Sequence, residues 1–156
     1  MRKILPILAA LLFAAPALAA DSEIVRTRGA QFGFVALNVA DMEKSLAFYK
    51  GLLGLTEQFR NDTPAYLEVG VDFPDNKAGP RLLLVAPKNR KGPIAKGDGF
   101  SRISLYVTGI EAVVARLQAG GAEIARPLVD NKKFKVKIAF AKDPDGYSVE
   151  LLENYD

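Results

Sequence analysis

The sequence predicts an α+β fold built from two tandem βαβββ modules, and three observations carry that prediction. The first is the stretch 34–54, FVALNVADMEKSLAFYKGLLG, where a two-residue alternation gives way to helical spacing. The second is the return of the same device at 102–117, RISLYV followed by a second helical pattern. The third is a steady offset. Phe34 and Arg102 are 68 residues apart, and Gly79 and Gly146, each just before a strand, are 67 apart. A repeat of that kind is the mark of one supersecondary unit used twice.

In the first module, Val35, Leu37 and Val39 share one face and are expected to pack under the helix. Phe34, Ala36 and Asn38 share the other. Asp41 stands at a helix N-cap, with Glu43 in the first turn to complement the dipole. Met42, Leu46, Tyr49 and Leu53 follow at helical spacing, and Gly54 is a natural stop. Residues 55–61 and 65–71 read as two strands joined by the turn Asp62-Thr63-Pro64. Residues 72–80 are rich in turn formers. Residues 81–86 form a very apolar strand, expected to be buried on both faces.

Residues 87–99 (PKNRKGPIAKGDG) break the composition with Pro, Gly and cations. Module one is therefore placed at 31–86, the linker at 87–100 and module two at 101–156. The linker reads either as a solvated connector or as a cationic flap over a cleft. In module two, Thr108 and Glu111 suggest a capping box. Ile110, Val113, Val114 and Leu117 mark one helical face, ended by Gly120-Gly121. A strand is expected at 122–129. Residues 132–141 alternate, with Phe134, Val136, Ile138 and Phe140 against Lys133, Lys135 and Lys137. That lysine stripe reads as a solvated, edge-protecting face or as a site for an anionic partner. Asp143-Pro144-Asp145-Gly146 is a turn. The last strand, 147–153, sets Ser148, Glu150 and Leu152 against Val149 and Leu151.

Residues 1–19 read as a signal peptide. Arg2 and Lys3 precede an apolar run, and Ala17-Leu18-Ala19 is a small-residue cleavage pattern. The run is short for a membrane span and carries Pro6 and Pro16. Residues 20–30 are a polar lead-in. The expected location is periplasmic or secreted, with no membrane anchoring after cleavage. Losing Arg2 and Lys3 reduces the 21 basic residues to 19 against 18 acidic ones, so no nucleic-acid footprint is expected. The chain has no Cys and no His. Disulfides, thiol nucleophiles and His-based triads are thereby excluded, as are the usual ligands of zinc, iron, nickel and copper.

The segments VALNVADMEKSLAFYKGLLGL and AFAKDPDGYSVELLE resemble the vicinal oxygen chelate superfamily, which includes glyoxalase I, extradiol dioxygenases and bleomycin-resistance proteins. The resemblance implies curved, mostly antiparallel sheets enclosing a cleft, and pairing of modules within one chain or in a homodimer. In metal-dependent members it implies four cleft positions that hold a divalent ion. Carried onto this chain they are Phe34, Leu83, Arg102 and Glu150, of which only Glu150 is a ligand type. No metal and no cofactor is therefore expected.

Alternation places Arg102 and Glu150 on the same inward face, where they are expected to pair. An arginine there would supply the positive charge that a metal supplies in relatives. Phe34, Leu83, Asn38, Ser104, Tyr106, Ser148 and Leu152 are further candidates for lining the cleft. The readings are a metal-free domain that binds a carboxylate- or oxyanion-bearing small molecule, a lyase- or isomerase-like enzyme with Glu150 as general base and Tyr106 as acid, and an interaction module using the lysine stripe or an exposed strand edge.

Overall fold

The alternating segments become strands, and helices cover one side of each sheet only. The computed structural model describes residues 33–76, 80–97 and 99–155. The expected signal peptide, the lead-in and Gly79 lie outside the described residues. The first module runs β1 (Phe34–Asn38), α1 (Met42–Leu46), β2 (Thr56–Asp62), β3 (Tyr66–Asp72) and β4 (Arg81–Pro87). The second runs β5 (Ile103–Tyr106), α2 (Ile110–Ala119), β6 (Ile124–Asn131), β7 (Val136–Lys142) and β8 (Ser148–Asn154). The sheet orders are β1-β4-β3-β2 and β5-β8-β7-β6. In each, the first strand pairs in parallel with the last, and the other pairings are antiparallel. The two registers match: Ala36 lies opposite Leu83 as Ser104 lies opposite Glu150. Leu83 is thus the first-module counterpart of Glu150.

The core gathers on the helix side. Leu37, Val39, Val69, Val71, Leu82 and Leu84 meet Met42, Leu46, Phe48 and Tyr49 in one module. Ala139, Ala141, Val149 and Leu151 meet Ile110, Val113, Val114 and Leu117 in the other, and all belong to one cluster. Asp41 caps α1 as expected, accepting from the Lys44 amide at 3.1 Å. The helix then widens into a π-helical turn over Ala47–Leu52. Leu53 donates to the Phe48 carbonyl at 3.1 Å, five residues back. The wider turn lets the neighbours Phe48 and Tyr49 both face inward, with their rings edge to face at 5.1 Å.

Several expectations need correcting. β4 is buried on one face, not two: Leu82 and Leu84 are buried, but Leu83 and Val85 are only half-buried, because no helix covers that side. Val35 is 39% exposed, since β1 is an edge strand and the helix reaches only Leu37 and Val39. The capping box at Thr108 does not form. Gly109, at φ 69°, takes the N-cap position without a side-chain cap. The Glu153 carboxylate of β8 instead accepts from the amides of Gly109 and Ile110. Glu111 pairs with Lys137 at 2.6 Å.

The lysine stripe does not exist. The Phe134 amide donates to the Asn131 carbonyl and side chain, which closes a turn over residues 132–135 before β7 begins. Lys137 alone of the three lies on β7. It bonds Glu111 of α2, and Glu153 lies 3.6 Å away. The linker is not a flap. Ile94 and Phe100 pack against the core, and the Lys96 ammonium donates to the Asp145 carbonyl at 2.8 Å.

The modules are latched through the Asp143–Gly146 turn. The buried Asp143 carboxylate accepts from the Tyr49 hydroxyl at 2.8 Å and from the Tyr147 amide at 2.8 Å. Asp145 accepts from the Ala40 amide, and the Tyr147 hydroxyl donates to the Asn38 carbonyl at 3.1 Å. These contacts tie the second module to the end of β1 and to the first helix. They leave the opposite faces of both sheets uncovered, so the sheets stay separate and do not close around a cleft.

Candidate functional site

The site candidate lies on the uncovered face of the second sheet. β8 presents Ser148 and Glu150 there, because Val149 and Leu151 take the core side. The parallel register brings Ser104 of β5 beside Glu150. Arg102, just ahead of β5, reaches the same carboxylate. Its Nε lies 2.7 Å from Glu150 Oε2, and the Ser104 hydroxyl donates to that oxygen at 2.6 Å. A second guanidinium nitrogen donates to the Ser101 hydroxyl at 3.3 Å. Glu150 is 9% exposed, while the Arg102 side chain is 47% exposed.

Burial pushes the Glu150 carboxyl upward. The hydrogen bonds from Ser104 and Arg102, with the charges of Arg102 and Arg126, outweigh it and hold the group below the ordinary carboxylate value of 4.5. Around the pair is a basin of about 530 Å³ lined by Ser101, Arg102, Arg126, Phe140, Lys142 and Ser148 among others. The Arg126 guanidinium lies over the Phe140 ring at 4.8 Å, and the Lys142 ammonium donates to the Ser148 hydroxyl at 3.2 Å.

Arg102, Ser104, Ser148 and Glu150 are thus brought together as expected from their alternation. The other candidates are not part of this basin. Phe34 stands on the first sheet, with its ring edge-on to Phe59 at 5.7 Å. Leu83 sits two strands away from Phe59 on that same sheet, beside Ala36. Asn38 is at the end of β1 and is exposed. Tyr106 is 65% exposed and borders a second hollow, which it shares with Arg102 and Ser104 of the site and with Val35 and Leu82 of the first module. Leu152 faces Ile138 further along the sheet.

Most other residues lining the basin escaped the sequence reading, among them the two cations Arg126 and Lys142. Arg126 carries no periodic signal, because β6 slips register on both sides of it. Lys142 lies one residue past the expected end of its strand, yet it pairs with Ser148.

A divalent ion does not fit the four inherited positions. Phe34 and Leu83 offer no lone pair, and Arg102 brings positive charge. The one carboxylate, Glu150, already spends Oε2 on two donors. Among the described residues no group of three His, Cys, Asp or Glu side chains is placed to hold a metal.

Paired βαβββ sheets with the chemistry concentrated on an uncovered sheet face define a class of protein, and comparison with known proteins agrees on it. The family model described as Glyoxalase/Bleomycin resistance protein/Dioxygenase superfamily matches residues 31–151. The chain belongs to that superfamily. It is 32% identical over 120 residues to a probable lactoylglutathione lyase of Vibrio parahaemolyticus, covering 76% of this chain and 86% of the relative. It is 27% identical over 120 residues to the lactoylglutathione lyase of Haemophilus influenzae, covering 76% and 88%. Among solved structures, the trypanothione-dependent glyoxalase I of Leishmania major aligns with a TM-score of 0.69 at 24% identity, covering 80% of this chain and 87% of that one. Glyoxalase I of Zea mays aligns at 0.71 with 22% identity, covering 81% and 45%. These structural likenesses establish the fold.

The depressed Glu150 pKa has a testable sign. A carboxyl held below its unfolded value stabilises the fold above that value, and the contribution fades as pH falls through the folded one. The wild type is therefore expected to lose stability toward acid, below about pH 4.5, more steeply than a Glu150→Gln variant. Urea unfolding at a series of pH values reads the difference, and parallel curves would contradict the assignment.

Proposed function

We propose that this chain binds a small organic anion in the basin around Arg102, without a resident metal ion, after export from the cytoplasm. The observation that carries this reading is the Arg102–Glu150 pair. The carboxylate uses Arg102 Nε, the side chain is half-exposed, and Arg102 lines the basin. A planar fork of that kind suits a carboxylate or another oxyanion, and the Phe140 ring offers an apolar surface beside it. The lining is mostly polar and charged, with Ile138 and Phe140 as its larger apolar side chains, which suits a small charged ligand.

The relatives named lactoylglutathione lyase favour catalysis as the second reading. The local geometry weighs against the acid–base pair that catalysis would need here. Glu150 is hydrogen-bonded to two donors and stabilised in its charged form, which makes it a weak base. Tyr106, the paired acid of that reading, borders a hollow that Arg102 and Ser104 also line but Glu150 does not. Binding is therefore the function that these side chains support best.

Benzoate is a suitable probe, since it joins one carboxylate to a ring. Arg102→Ala is expected to weaken benzoate binding in calorimetry about tenfold to hundredfold, the worth of a charge-assisted hydrogen bond. The variant also leaves the buried Glu150 carboxylate with Ser104 as its one side-chain donor among the described residues, so a fall in melting temperature is expected beside the loss of binding. A variant that melts far lower yet binds benzoate unchanged would reduce the pair to a structural fixture. Export is read separately, by the intact mass of the protein recovered from cells: loss of residues 1–19 is expected, and recovery of the uncleaved chain alone would remove that part of the proposal.

A further inference from the structure

The charges around the basin do not balance. Three cations line it, Arg102, Arg126 and Lys142, against one anion, Glu150. Glu150 is engaged by Arg102 at 2.7 Å. Among the described residues, neither Arg126 nor Lys142 has a carboxylate within ion-pair reach. Arg126 lies over the Phe140 ring, and Lys142 bonds the neutral Ser148 hydroxyl. Two positive charges are therefore left facing one concavity.

Their placement follows from the sheet. Phe140 lies opposite Arg126 of β6 on one side and opposite Glu150 of β8 on the other. Lys142 is two residues along β7 from Phe140 and so projects from the same face. The aromatic ring is thus bordered by a guanidinium on one neighbouring strand and an ammonium on its own. The cation–π contact with the ring holds the Arg126 guanidinium over Phe140 before any ligand arrives. Ile138, also lining the basin, extends the apolar surface. A ligand with one negative charge would leave one of these two positive charges uncompensated. A second negative charge on the same ligand would meet it.

We propose that the ligand of this basin is a small dianion on an apolar or aromatic frame, with either two carboxylates or one phosphate monoester, and that Arg126 and Lys142 select for its second charge. The proposal rests on the reading of the Arg102 basin as an anion-binding site and names the class of molecule it takes. Neither residue lies at a position inherited from metal-binding relatives, so the selectivity belongs to this chain's own side chains.

Calorimetry at pH 8 with benzoate, isophthalate and phenyl phosphate tests it. Phenyl phosphate is dianionic there, since the second pKa of such an ester is about 6. At least one dianion is expected to bind about tenfold or more tighter than benzoate. Whichever arm shows the gain identifies the dicarboxylate or the phosphate class. In Arg126→Gln and in Lys142→Met the ratio of dianion to benzoate affinity should fall toward unity. Equal affinities for all three probes, or a ratio that neither variant moves, would overturn the selectivity and leave a site for monoanions standing. Failure of every probe, benzoate included, would overturn the anion site itself.

Discussion

One buried carboxylate on an uncovered sheet face sets the terms for the rest of this molecule. Glu150 stands in the middle of β8, between strands whose other faces build the core, and it is 9% exposed. A charge so placed must be paired, bound to a metal or neutralised. Arg102 and Ser104 both donate to one of its oxygens, and the result is a carboxyl stabilised in its charged form. The pairing depends on the parallel register of β5 with β8, which sets Ser104 beside Glu150 and brings Arg102 within reach. That register in turn depends on the crossover through α2, whose first amides are held by Glu153, three residues further along the same strand.

Much of this was legible in the residues. Period-two and period-3.6 patterns located the strands and helices because the sheets are covered on one side, which separates core positions from open ones. The DPDG segment announced a turn, but not its larger role. Only the folded chain brings Tyr49 to Asp143 and Asp145 to the Ala40 amide, across about a hundred residues. Patterns failed where a competing local bond won. Asn131 closed a turn inside the expected lysine strand, and Gly109 with Glu153 replaced the Thr108 cap. The register slips of β6 hid Arg126, and no spacing argument could have recovered it.

The candidate site was half legible for a related reason. Arg102, Ser104, Ser148 and Glu150 lie on two hydrogen-bonded strands, so alternation alone assembles them. Phe34, Leu83 and Asn38 belong to the other sheet, and uniting them with the first group needs a closure between sheets that this chain's own fold does not make. The first sheet's open face keeps an aromatic pair, Phe34 on Phe59, with Gly70 directly beneath the Phe59 ring. A Cβ at Gly70 would come within 2.3 Å of that ring, so the glycine is what allows the aromatic to lie flat on the sheet.

Superfamily membership thus fixes the scaffold, while the proposed function rests on the side chains this chain sets on it. The central claim is that a guanidinium has taken the place of an ion beside Glu150. The most direct test is the metal content of the purified protein after incubation with excess zinc, nickel or magnesium and dialysis. The account predicts far less than one equivalent of any of them. One equivalent retained by the wild type and lost on Glu150→Gln would contradict it.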